Sequence, residues 1–110
     1  MKKVENLTPH AVVVTNGDER VSFPPSGRVA RVATNLESAE PLNGVPTWHQ
    51  TFGEIVDLPE HADGVMYIVS GLLASAASAA GRRTDDLLVP GQQIRDEEGR
   101  VVGCRGFIRN

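Results

Sequence analysis

The stretch Met66 to Gly81, MYIVSGLLASAASAAG, leaves this chain the fewest choices. Met66-Tyr67-Ile68-Val69 is a continuous apolar run with β-branched and aromatic members, the pattern of a short strand covered on both faces. Ser70 offers a side-chain oxygen where a helix would begin, Gly71 leaves the first turn bare, and Gly81 stands where a left-handed cap ends a helix. A buried strand running straight into a helix is predicted. That helix is nearly all small, since Ala74, Ser75, Ala76, Ala77, Ser78, Ala79 and Ala80 follow Leu72 and Leu73. Each buries little area, so the helix has to lie close against a sheet or against a copy of itself. The N–H groups at its start attract an anion.

Around this unit the chain reads mostly as strands. Ala11 to Thr15 and Arg20 to Phe23 flank Asn16-Gly17-Asp18, a hairpin in which Asn-Gly supplies two central residues of positive φ. Pro24-Pro25-Ser26-Gly27 ends the pair, and Arg28 to Thr34 alternates with period two. A second hairpin is centred on Asn43-Gly44 between Glu37 to Leu42 and Val45 to Phe52, with Pro41 and Pro46 marking edge strands or a projecting arm. Glu54 to Leu58 and Leu87 to Val89 are further strands, and Gln92 to Arg95 with Arg100 to Ile108 form a last hairpin with Asp96-Glu97-Glu98-Gly99 at its tip. Gly103 and Gly106 in that last strand suggest a bulge or the close approach of another backbone. The fold class is α+β, mainly antiparallel sheet with one principal alanine-rich helix after a central strand, in a single domain over residues 1–110.

With 110 residues, 40% hydrophobic and 23% charged, the composition is that of a globular chain, and no apolar run is long enough to span a membrane. Met1-Lys2-Lys3 begins like a signal peptide, but Glu5, Asn6, Thr8 and His10 interrupt the apolar region that such a signal needs, so a cytoplasmic location is expected. The single cysteine, Cys104, excludes an intramolecular disulfide. A net charge of −3 argues against a nucleic-acid polymer as partner. The charges are unevenly spread, however. No Lys or Arg occurs between Val32 and Gly81, where six acids lie, and six of the nine arginines follow. Arginine's planar fork suits phosphate or carboxylate, although an exposed acidic middle paired weakly with arginines explains the same pattern.

Nothing groups a nucleophile with a base. Cys104 reads as a core thiol, His10, His49 and His61 lack metal-ligand spacing, and Asp85-Asp86 reads as loop acids holding Arg82 or Arg83. No metal and no cofactor is expected. What remains is an anion site: Ser70 and Gly71 at the helix start, with Arg28, Arg31, Arg82, Arg83, Arg95 and Arg105 as candidate clamps. Trp48 on the second hairpin is a candidate for stacking on a ligand's base, for an oligomer contact, or for the core.

The motifs Asn6-Leu7-Thr8-Pro9-His10, Pro24-Pro25-Ser26-Gly27 followed by Ala30-Arg31, Phe52-Gly53-Glu54, Leu58-Pro59, Tyr67-Ile68-Val69-Ser70, Arg83 to Asp86 and Arg95 to Gly99 resemble those of small uncharacterised proteins of phage, prophage and actinobacterial genomes. The resemblance spans nearly the whole chain and implies a phage-linked cytoplasmic protein. Phages carry small non-enzymatic sponges that sequester nucleotide signals of bacterial immunity, and by that analogy the expectation is non-catalytic binding of a phosphate-bearing small molecule, a nucleotide above all, by a homo-oligomer. Two alternatives stand beside it: a structural or protein-interaction module, and a small hydrolase or transferase acting on a nucleotide.

Overall fold

The computed structural model describes residues 3–109; Met1 and Lys2, which open the signal-like start, lie outside them. The elements run β1 (Lys3–Asn6), β2 (Val12–Asn16), β3 (Glu19–Phe23), β4 (Arg31–Leu42), β5 (Val45–Val56), β6 (Val65–Ile68), α1 (Gly71–Ala79), β7 (Leu87–Pro90), β8 (Gln93–Arg95), β9 (Val101–Cys104) and β10 (Phe107–Arg109). The class is α+β, as the sequence predicts, with sheets of mixed direction. A central sheet of order β1-β6-β7-β10 packs on a second of order β3-β2-β9-β8, while β4 and β5 pair only with each other.

β6 is central in the strict sense. It has parallel neighbours on both sides, β1 and β7, and α1 is the crossover that carries the chain from β6 to β7. Its alternate side chains feed two cores. Tyr67 and Val69 meet Leu73, Ala74 and Ala77 of α1, whereas Met66 and Ile68 face the second sheet, where Val12 and Phe23 lie. β7 alternates in the same way, with Leu87 on the helix side and Leu88 on the other. Strands covered on both faces read as unbroken apolar runs, which is why neither shows alternation. Phe23 and Phe107 bridge the two sheets edge to face, with ring centroids 5.7 Å apart.

The caps of α1 form as the sequence predicts. Ser70 is extended and its hydroxyl accepts the Leu73 N–H at 3.2 Å. At the other end Gly81 takes φ +84°, the Arg82 N–H reaches the Ala77 carbonyl and the Gly81 N–H reaches the Ser78 carbonyl, the two bonds of a Schellman ending.

The Asn6 side chain ties the start of the chain together. It is 2% exposed, and its amide donates to the carbonyls of His10 and Phe23, both at 2.8 Å. Its oxygen accepts the Thr8 N–H at 2.9 Å and the Thr8 hydroxyl at 2.6 Å. The Asn6 backbone carbonyl takes the Ser26 N–H, and Leu7, 1% exposed, links Ile68 and Ala30 through its own backbone. The NLTPH and PPSG motifs are thus two sides of one knot.

Three features differ from the sequence reading. β1 lies before the first expected strand; four residues, KVEN, carry too little pattern to announce it. The two expected pairs of strands between Arg28 and Leu58 are one long hairpin of two twelve-residue strands, interrupted by shifts of register at Gly53-Glu54 and at Glu40-Pro41 rather than by loops. The last expected strand is two, because Gly106 at φ +132° turns the chain from β9 in the second sheet to β10 in the central one. The tips differ from each other as well: Asn43 and Gly44 both have positive φ, but in the first hairpin Asn16 is still in the strand and Gly17-Asp18 make the turn. Gly103 does meet another backbone, since a Cβ built there lies 3.1 Å from the Val13 carbonyl oxygen.

Two stability outcomes follow. Asn6→Ala should lower the unfolding free energy by about 3 kcal/mol in a urea titration, because stranding a buried polar group costs roughly 1–3 kcal/mol and several lose their partner. Gly103→Val, which forces the parallel β2 and β9 apart, should cost about 1–3 kcal/mol by the same measurement.

Candidate functional site

Among the described residues, a concavity with a mainly apolar lining opens where the two sheets meet at the head of α1. It is a cleft of about 340 Å³. One wall is apolar, built from Val12 and Val13 of β2, Val69, Pro90, and Val101 and Val102 of β9. Polar groups stand along its rim: Thr8 and His10 from the NLTPH turn, Ser70 at the helix start, and Gln93 of β8. The cleft lies beyond the carboxyl end of β6, the place where parallel strands and a following helix commonly leave a ligand crevice. The parallel pairing of Val14 with Cys104 sets β2 beside β9 and so brings distant valines to the cleft. Cys104, 3% exposed, also lines the cleft as a buried thiol.

Ser70 is therefore at the cleft, but its hydroxyl is spent on capping α1. The N–H groups of Gly71 and Leu72 belong to the first turn, where a helix offers them no internal acceptor. They are the donors available at this end, and Gly71 carries no side chain to cover them.

The arginines do not converge there. Arg82 and Arg83 follow the opposite end of α1. Arg82 donates to both oxygens of Asp86, at 2.9 and 3.0 Å, and to the Pro59 carbonyl at 2.8 Å, as well as to the Arg83 carbonyl. Asp86 is 2% exposed, so this is an internal fork-on-fork pair that fastens the loop before β6 to the start of β7. Arg83 pairs in the open with Asp85 at 2.8 Å. That hydrogen bond holds the Asp85 carboxyl below the usual carboxylate range and raises the guanidinium in turn. The pairing is present at neutral pH and is lost as acid protonates Asp85; both groups are exposed, so salt screens it. Arg95 donates to Gly99 O and to Gln93, bracing the tip of the β8–β9 hairpin. Arg105 lines a separate groove with Thr15, Asn16, Gly17 and Ile94, Arg28 is exposed after the PPSG turn, and Arg31 opens β4 opposite Val56. Trp48 is 59% exposed in the middle of the β4–β5 arm and takes no part in the cleft.

Below the loop that leads into β6, His61, Asp85 and Asp86 each bring one ligand-type atom within 4.8 Å of the others. His61 Nε2 is 3.4 Å from Asp85 Oδ1. Both carboxylates already face guanidinium groups, so a cation there would compete with two fixed positive charges. The cluster is an ion-pair network.

No protein-family model, curated protein or solved structure matches the chain.

His10, Thr8, Gln93 and the valines of β2 and β9 enter the site only through the fold. The NLTPH motif ends at His10, immediately before β2, and was the one local hint. The wall itself depends on a parallel pairing between strands nearly ninety residues apart.

The two neighbouring arginines should separate cleanly on substitution. Arg82→Met strands the buried Asp86 carboxylate and should cost about 3–5 kcal/mol, as loss of one member of a buried pair does. Arg83→Ala should leave the melting temperature unchanged; thermal denaturation of both variants beside the parent checks the contrast.

Proposed function

We propose that the chain binds a small phosphate-bearing molecule, a nucleotide by preference, in the cleft at the head of α1, and holds it without converting it. The observation that carries this reading is a concavity with an apolar lining that reaches Ser70, the residue that caps the start of α1. The valines of β2 and β9 offer an apolar surface to a base. The N–H groups of Gly71 and Leu72, aligned with the helix dipole, offer donors to a phosphate. His10, Thr8 and Gln93 supply the few polar contacts that set orientation. A volume of about 340 Å³ suits a ligand of nucleotide size.

This assigns the binding to backbone donors and rim side chains. Arg82 serves stability, and Arg28, Arg31, Arg83, Arg95 and Arg105 serve, at most, the field around the molecule. A role as a phage-encoded sponge, in a bacterial cytoplasm, is the setting that the motif resemblance supports; sequestration needs only a tight cleft and no reacting group.

A thermal-shift screen against cyclic and linear nucleotides tests the reading. A melting-temperature rise that grows with ligand concentration is expected, reaching the equivalent of about 2.7 kcal/mol when free ligand is a hundred times Kd. Val102→Trp places a large ring at the half-open edge of the cleft, where Val102 is 44% exposed. It should abolish the rise while leaving the melting temperature of the free protein near that of the parent. Absence of a rise with every nucleotide would sink the proposal, and chromatographic recovery of an altered nucleotide would overturn the non-catalytic part of it.

A further inference from the structure

The β4–β5 arm is a two-stranded ribbon with two unlike sides. Cross-strand partners share a side, so Thr34 with Phe52, Leu36 with Gln50 and Ser38 with Trp48 point one way. Glu37 with His49 and Asn35 with Thr51 point the other way. The first side carries no charge along these pairs. At the base of the arm the same side continues into Val32 and Ile55, which pack into the core beside α1. Further out nothing among the described residues takes over from the helix, and Leu36 is 65% and Trp48 59% exposed. A ribbon of two strands is marginal in water without a cover.

The chain as a whole has surface to spare. The chain exposes 7649 Å², whereas a compact monomer of 11.8 kDa exposes roughly 5,900 Å² by the scaling of surface with mass. Its radius of gyration is 16.4 Å, against about 13 Å for a compact chain of its length. The surplus, roughly 1,700 Å² per chain, falls in the range that each subunit gives up in a permanent homodimer, whose interfaces bury about 2,000–5,000 Å² in total.

We infer that the uncharged side of the arm is the interface of a homodimer, in which two arms stack face to face about a two-fold axis. The pattern is self-complementary. Leu36, Trp48 and Phe52 alternate with the small Thr34 and Ser38, so large groups of one copy enter the gaps of the other at the ordinary sheet-to-sheet spacing of ~10 Å. Neither copy brings a charge to the pairs Thr34–Phe52, Leu36–Gln50 and Ser38–Trp48, and Glu37 and His49 stay in water.

Trp48 is the single tryptophan of the chain, so its emission reports on this interface alone. Sedimentation of the full chain should give a dimer with blue-shifted emission. Leu36→Glu should give a monomer with red-shifted emission and an unchanged far-ultraviolet circular dichroism spectrum, and His49→Glu, on the opposite side, should remain a dimer. Ser38→Arg, at a small exposed position of the same side, should also give the monomer and decides the matter should Leu36→Glu not fold. A parent chain that sediments as a monomer with red emission overturns the inference and assigns the arm to a different protein. A dimer that survives both substitutions with unaltered emission overturns it by placing the contact elsewhere.

Discussion

A buried asparagine amide can hold four hydrogen bonds or cost the fold the desolvation of every group that it leaves unpaired, and Asn6 holds four. Its position explains why so much rests on it. It ends β1, the parallel neighbour of β6, and its amide reaches the Phe23 carbonyl at the end of β3 in the other sheet. Its backbone fixes the PPSG turn from which the arm departs. No hydrophobic contact could place those three segments relative to one another with such directionality. The oxygen of the same side chain folds Thr8 back and sets His10 at the rim of the cleft.

A second polar clamp does the corresponding work at the other end of the parallel strands. The Asp86 carbonyl accepts the Tyr67 N–H, while its carboxylate is gripped by Arg82, which also holds the Pro59 carbonyl. The Leu58-Pro59 and RTDD motifs are joined by this contact as NLTPH and PPSG are by Asn6. Much of the motif pattern therefore has a structural reason. Part of the arginine excess does too: Arg82, Arg83, Arg95 and Arg100 are engaged with carboxylates, side-chain amides or backbone close to them in sequence.

What was legible in the sequence was whatever local chemistry determines. Ser70 and Gly81 mark α1 because caps depend on one residue and its immediate neighbours, and Asn43-Gly44 marks the arm's tip for the same reason. The apolar runs of β6 and β7 reveal burial on both faces. The pairing of β2 with β9 was not legible, because one parallel contact between remote strands leaves no periodic trace. Nor was the role of Arg82. A guanidinium beside two acids reads alike whether its partner is 2% exposed, as Asp86 is, or half exposed in side chain, as Asp85 is. The candidate cleft inherits both limits: its helix start was visible, and its apolar wall was not.

The alanine-rich helix and the long arm also belong together. A helix whose buried face is Leu73, Ala74, Ala76 and Ala77 comes close to the sheet but fills little volume between its own flanks and the next layer. Val32 and Ile55, at the base of the arm, pack there, with Ala30 and Leu58 on either side. The arm is thus rooted in the core by the residues that the small helix makes necessary, and its register at the base sets which side faces inward. Because cross-strand partners keep to one side, and the extra residue at Gly53-Glu54 holds Ile55 and Phe52 to the same side, that choice propagates outward: the side that serves as core at Val32 is the side on which Leu36 and Trp48 emerge. An exposed tryptophan on this arm is the continuation of a core face beyond the helix that covers its beginning.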